Sequence, residues 1–265
     1  MRIELLDHGY IELIESWGSD ERIIEAARMS TSKGFLGWGP RHKSECTRGK
    51  ALAASVFKEP YNEVAETAEC NCSHDVPGDE KLLRYLWEHK HFTPFEMAGA
   101  IVESQAPIAV YREWHRHRTQ SYNEMSARYM PLPDVNYVPT IDRLFMGGGH
   151  LTKQAGTIKD AAALTEEKAQ EFRSDLGELY DLVERFYQKA LHDGISKELA
   201  RLALPVGRYS KMRASSNLRN WLAFLSLRMA PDAQYEIRVY ADAMHKILSN
   251  LFPRTIALFD EGMNK

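Results

Sequence analysis

The sequence predicts an α+β fold, a small and mainly antiparallel sheet combined with several long helices. Three observations lead there. Apolar residues recur at helical spacing through long stretches, the longest over 159–192. Strand-like patterning is confined to a hairpin at the N-terminus and a short apolar run at 97–105. These strands do not alternate with helices as βαβ units would.

Each element has a local cause. Ile3 and Leu5 before His8-Gly9, and Ile11 and Leu13 after it, alternate as a short hairpin does. Ser19 or Asp20 then caps a helix through about Met29, with Ile23, Ile24 and Ala27 on one face. Over 33–77 the pattern loosens under Gly34, Gly37, Gly39, Pro40, Gly49 and Pro60, with one helical turn expected near 50–57. A helix starts near Gly78-Asp79 and runs to about Lys90 through Leu82, Leu83, Leu86 and Trp87. Residues 91–96 (HFTPFE) read as a loop, because Pro94 lacks a donor and disfavours helix at Thr93. After the 97–105 strand, Pro107 opens a helix through Val110 and Trp114 into an arginine-rich segment. Pro131, Pro133 and Pro139 make 131–139 extended, and Gly147-Gly148-Gly149 reads as a mobile loop. The long helix over 159–192 carries a stripe of Phe172, Leu176, Leu179, Val183, Phe186 and Ala190, and Gly194 fits its stop. Helices at about 196–203, 218–229 and 233–251 complete the chain.

Composition narrows the function. A chain of 265 residues buries a sizeable core, and 44% apolar with 27% charged residues is ordinary globular composition. A net charge of −3 argues against a protein whose main task is coating nucleic acid, so a local cluster must explain any anion binding. Three cysteines suit a reducing compartment better than a disulfide framework. No apolar run reaches the roughly 18 residues of a membrane span, and MRIELLDHGY lacks the apolar core of a signal peptide. A cytoplasmic chain without a membrane partner is expected.

Three segments carry chemistry. In residues 116–130 (RHRTQSYNEMSARYM), Arg116, His117, Arg118 and Arg128 are interleaved with Asn123, Glu124 and Ser126. Guanidinium forks match phosphate geometry. The amide, hydroxyl and carboxylate can read the polar edge of a ring. On charge alone, a solvated basic face or a stacking platform for RNA or single-stranded nucleic acid competes with this. The apolar helix entering the segment, and the mixed donors and acceptors within it, favour a small heterocycle. His91, Thr93 and Glu96 form the second element, where a histidine beside a proline turn is by itself more often structural. The third is 215–238, in which Asn217 is a candidate N-cap, Arg219 lies in the first turn and Arg228 nine residues later. Surface arginines on an amphipathic helix are the plain alternative. Cys46, Cys70, Cys72 and His74 lack the paired spacing of structural zinc modules, and no metal is assigned. Neither a phosphate loop nor a GxGxxG fingerprint is present.

Together these segments resemble the flavin-dependent thymidylate synthases, whose signature is Arg-His-Arg, seven residues, Ser. Here it reads Arg116-His117-Arg118, residues 119–125, then Ser126. The likeness runs to about residue 250, with 35–77 standing out as an insertion in a single catalytic domain over 1–265. It implies reductive methylation of dUMP to dTMP, with FAD as cofactor, NADPH as reductant and methylenetetrahydrofolate as carbon donor. It also implies a homo-oligomer, a tetramer, with sites shared between subunits. Carried over residue by residue, it implies dUMP contacts from Glu113, Arg116, Glu124, Met125, Ser126, Ala127, Arg128, Arg201 and Arg228. Implied FAD contacts are Ser30, His91, Thr93, Arg116, His117, Arg118, Asn123, Glu124, Asn217 and Arg219. Arg228 is the implied catalytic residue, stabilising negative charge that develops in the uracil ring. Ser126 is assigned to positioning rather than attack, because the family transfers hydride directly from reduced flavin. Three positions depart from the pattern: Glu113 stands where some members have glutamine, Ala223 where a flavin-contacting asparagine can lie, and Asp232 where a histidine can lie near the flavin.

Overall fold

Strands β1 (Arg2–Leu5) and β2 (Gly9–Trp17) form the hairpin that the alternation predicts, with Leu5 opposite Gly9. Gly9 is required by close packing, since a Cβ there would lie 2.1 Å from the Tyr240 hydroxyl. The computed structural model describes residues 1–39, 78–146 and 162–263. The turn expected near 50–57, the glycine loop at 147–149 and the Cys46, Cys70, Cys72 and His74 group lie outside the described residues. Contacts divide the chain into two units, Met1–Ser16 with Gly99–Asn250, and Trp17–Ala98 with Leu251–Lys265.

The first unit holds a five-stranded sheet in the order β1-β2-β3-β5-β4, completed by β3 (Gly99–Pro107), β4 (Ser121–Glu124) and β5 (Tyr209–Asn217). β5 pairs antiparallel with β3 along its whole length, Gly99 opposite Asn217 and Pro107 opposite Tyr209. On its other edge it pairs antiparallel with β4, Ser121 opposite Ser215. No strand is expected at 209–217 from the sequence. Its inward positions include Ser210 and Ser216 beside Met212 and Ala214, so apolar alternation is faint and backbone pairing on two edges makes the strand.

The arginine-rich segment is also corrected. Helix α3 (Ile108–Trp114) ends before Arg116, and the chain turns and enters β4. Tyr122 fixes this turn, its hydroxyl donating to the carbonyls of Trp114 at 3.1 Å and His117 at 2.7 Å. Behind it lies an aromatic core in which Trp114 stacks on Phe224 with centroids 5.0 Å apart and meets Trp221 and Tyr240 edge-on. Both indoles are satisfied, Trp114 Nε1 by Gln120 and Trp221 Nε1 by the Ala100 carbonyl.

Short helices α4 (Ile141–Met146) and α6 (Lys197–Ala200) flank the long helix α5 (Glu166–His192) in sequence. α5 starts at Glu166 rather than near 159, because Thr165 accepts from Lys168 N at 3.3 Å and caps it. Gly194, at φ +86°, follows its end as expected. Its predicted apolar stripe is not a core within this chain: Phe172, Leu179 and Phe186 are 48%, 51% and 58% exposed. α5 is instead tied to the sheet partly by charge. The fully buried Arg208 pairs with Glu184 of α5 and, through Nη1, with Asp134 at 2.8 Å and the Pro133 carbonyl at 2.9 Å. Helices α7 (Leu218–Arg228) and α8 (Tyr235–Leu251) follow β5.

The second unit contains α1 (Asp20–Arg28), α2 (Asp79–Glu88) and α9 (Pro253–Met263). Ser19 caps α1 as expected, accepting from Arg22 N. Buried Asp20 caps a second helix: its carboxylate accepts from Arg254 N at 2.8 Å, Thr255 N at 3.2 Å and Thr255 Oγ1 at 2.6 Å. α9 was not expected beyond residue 251; Pro253 suits its first turn and Asp20 supplies the missing cap. Residues 91–96 are likewise more regular than the expected loop. Thr93–Met97 is a 3-10 turn with Pro94 in its first positions, which delays β3 to Gly99. Gly18, at φ +73°, passes so close that a Cβ would lie 2.7 Å from that of Ala98.

Candidate functional site

Two clusters in the first unit concentrate the expected residues. The first surrounds Arg228 at the C-terminal end of α7. Its Nε donates to His117 Nε2 at 2.9 Å, Nη1 to Glu113 Oε2 at 2.5 Å and Nη2 to the Glu113 carbonyl at 2.8 Å. His117 is itself set edge-on against Phe224, one turn earlier on α7, with centroids 4.9 Å apart. Burial first, then the Arg228 charge, pushes the His117 imidazolium down to about 4, against the weaker pull of Glu113. The ring is therefore neutral at pH 7, and the bond from Arg228 makes Nε2 the acceptor and places the ring proton on Nδ1.

The second cluster is a cavity of about 360 Å³ between α3 and the turn after β4. Ile108, Tyr111 and Arg112 of α3 and its C-cap His115 face it, at the spacing of one helical face. Glu124, Met125, Ser126 and Ala127 form another wall, with Arg201, Leu204 and Ser210 beside them. The turn is held by its own groups: Ser126 Oγ accepts from Arg128 N at 3.3 Å, Tyr129 N donates to the Ser126 carbonyl, and Met125 N donates to that of Lys211. Arg112 is exposed and has no acidic partner among the described residues. The cavity thus sets two guanidinium groups, Arg112 and Arg201, against one carboxylate, Glu124, a balance suited to an anionic ligand.

Arg112 and His115 were not singled out from the sequence, although the i, i+3, i+4, i+7 spacing from Ile108 could have found them. His115 packs edge-on against Tyr122 and lies 3.1 Å from Met212 Sδ through Nε2. The structure also separates residues that stand together in sequence. Arg228 and Glu113 do not line this cavity; Glu113 lies about 100° around α3 from Arg112. Arg128 faces a neighbouring groove, pairing with Glu198 at 3.3 Å.

Of the remaining expected residues, Arg116 and Arg118 are exposed on either side of His117, without acidic partners among the described residues. Asn123 is exposed on β4, and Arg219 is exposed in the first turn of α7. Asn217 caps that helix as predicted, accepting from Asn220 N at 3.0 Å. Ser30, His91 and Thr93 belong to the second unit and are exposed there. Exposed guanidinium groups beside a helix N-terminus fit the phosphates of a dinucleotide. Among the described residues there is no metal-binding cluster, and no helix is long and apolar enough to cross a membrane.

The chain is similar over nearly its whole length to known proteins. A family profile described as "Thymidylate synthase complementing protein" matches residues 12–254. A flavin-dependent thymidylate synthase of Ehrlichia ruminantium (strain Gardel) is 33% identical over 258 residues, 97% of this chain and 72% of the relative. One from Thermus thermophilus is 33% identical over 263 residues, 99% of this chain and 80% of the relative. The crystal structure of a UMP/dUMP methylase from Streptomyces cacaoi, bound with 5-Br dUMP, superposes with a TM-score of 0.71 at 29% identity. That match covers 98% of this chain and 97% of the methylase.

Proposed function

The chain belongs to the flavin-dependent thymidylate synthase family, and from that premise we propose that it converts dUMP to dTMP. Methylenetetrahydrofolate supplies the carbon and NADPH, through FAD, the reducing equivalents. The observation that carries this is the cavity joining Glu124, Met125, Ser126 and Ala127 to Arg201. A nucleoside monophosphate presents a dianionic phosphate and a polar ring, and this lining offers guanidinium groups for the one and mixed donors and acceptors for the other.

Arg201, with Arg112, holds the phosphate; the backbone at 124–128 and Ser126 orient the nucleotide. Arg228 stabilises negative charge that develops in the pyrimidine as C5 becomes nucleophilic. Arg116, Arg118, Asn123, Asn217 and Arg219 hold the flavin. When bound, the flavin supplies the hydride chemistry; the protein supplies orientation and charge.

Because Arg228 and Glu113 do not line the cavity of their own chain, a complete site draws them from a second copy. This supports a homo-oligomer with shared sites, which we propose to be a tetramer, and the exposed stripe of α5 offers it apolar contact surface. The test is spectroscopic. The purified protein should be yellow and bleach anaerobically with NADPH. It should then form a methylated nucleotide from methylenetetrahydrofolate and dUMP, with UMP assayed in parallel. A colourless protein that takes up no added flavin would refute the assignment.

A further inference from the structure

His117 lies between two exposed arginines in sequence, yet it is neutral, half-buried and turned onto Arg228. All three nitrogens of that guanidinium are engaged: Nε by His117, Nη1 by the Glu113 carboxylate and Nη2 by the Glu113 carbonyl. Each terminal nitrogen has a second N–H. We infer that His117 is a positioning residue whose Nε2 and the two Glu113 oxygens lock the Arg228 plane, leaving one N–H on each terminal nitrogen to face the pyrimidine. The inference rests on the dUMP reading for its substrate, but the clamp itself is a property of the chain.

Its physical logic is preorganisation. A flexible arginine next to a developing charge must be ordered during the reaction, whereas a guanidinium fixed on three sides is already oriented. The histidine must be unprotonated, because an imidazolium offers no lone pair to Nε–H and would repel the guanidinium. Phe224 on one side and the Arg228 charge on the other both favour the neutral ring; Glu113 is the acidic group that faces this pair. The backbone that carries the ring is anchored from behind, as His117 N donates to the Trp114 carbonyl and the His117 carbonyl accepts from Tyr122. Lysine at 228 would satisfy charge but not this planar, three-sided fit.

Two measurements on the full-length flavin-loaded protein test it. In nitrogen-15 NMR at pH 6, with His117→Ala to assign the resonance, His117 should be neutral with its proton on Nδ1. A charged ring, or the other tautomer, would overturn the clamp whatever reaction the protein catalyses. In kinetics, His117→Ala should lower kcat about tenfold or more with flavin content and the KM for dUMP little changed. His117→Gln, whose side-chain oxygen can accept from Nε–H, should recover a substantial part of that loss. An alanine variant with undiminished kcat, or one whose loss is fully explained by lost flavin, would remove His117 from this role.

Discussion

Replacing Arg228 by alanine should separate catalysis from folding, and the structure gives the expected sizes. The substitution removes three hydrogen bonds, two of them to Glu113 and one to His117. Charged hydrogen bonds contribute about 1.5–3 kcal/mol each when a partner is left buried. Here the stranded carboxylate is not buried: the Glu113 side chain is 41% exposed, against 16% for Arg228. Water can therefore replace the lost donors, and the folding cost should stay near the lower figure, ~1–2 kcal/mol. Catalysis has no such substitute. Loss of one preorganised donor at a developing negative charge costs about 2.7–4 kcal/mol, or 10²–10³ in kcat. Arg228→Lys should fall between, keeping a charge near Glu113 but losing the planar grip, so that dUMP affinity recovers more than kcat. The assay is dTMP formation at saturating substrates, with bound flavin from absorbance, dUMP affinity by calorimetry and stability by urea titration. An Arg228→Ala protein with full flavin and kcat within threefold of the parent would exclude Arg228 from the chemistry.

Ser126→Ala should be impaired but measurably active, because its hydroxyl supports a turn through Arg128 N; a trapped covalent Ser126 adduct would contradict this. Arg201→Ala and Arg112→Ala should each raise the KM for dUMP tenfold or more with a smaller change in kcat, and unchanged KM values would detach these residues from the phosphate. His117 sets an acid window. Its folded value near 4 lies below the ordinary 6.5, so the unfolded chain takes up the proton first and stability declines as pH falls from about 6.5 towards 4. His117→Gln should flatten the fall in urea midpoint between pH 7 and 4.5, and an unaltered slope would show that other groups govern it. Mixing inactive Arg116→Ala and Arg228→Ala proteins under subunit exchange should restore some activity; a fully active monomer by light scattering would defeat the shared-site proposal.

What could be read from the sequence was what is determined locally. The hairpin, the Ser19 cap of α1, the Asn217 cap of α7 and the stop at Gly194 each depend on residues within a few positions. β5 depends instead on pairing with β3 and β4 from distant parts of the chain, and its inward serines conceal it from any hydrophobic alternation. α9 is capped by Asp20, 235 residues away from Thr255. In the site, the residue types of the arginine-rich segment were legible, but their directions were not. Arg116, His117 and Arg118 look like one cationic grip because they are adjacent. Once α3 ends at Trp114 and Tyr122 pins the turn, adjacent side chains face different ways: the arginines outward and the histidine inward to Phe224 and Arg228. The bond that fixes the tautomer of His117 spans 111 residues and joins two segments whose proximity exists only after folding. A cation and a neutral acceptor can therefore be neighbours in a motif while serving different partners, and the burial of the imidazole, rather than its place in the string, makes it the neutral one.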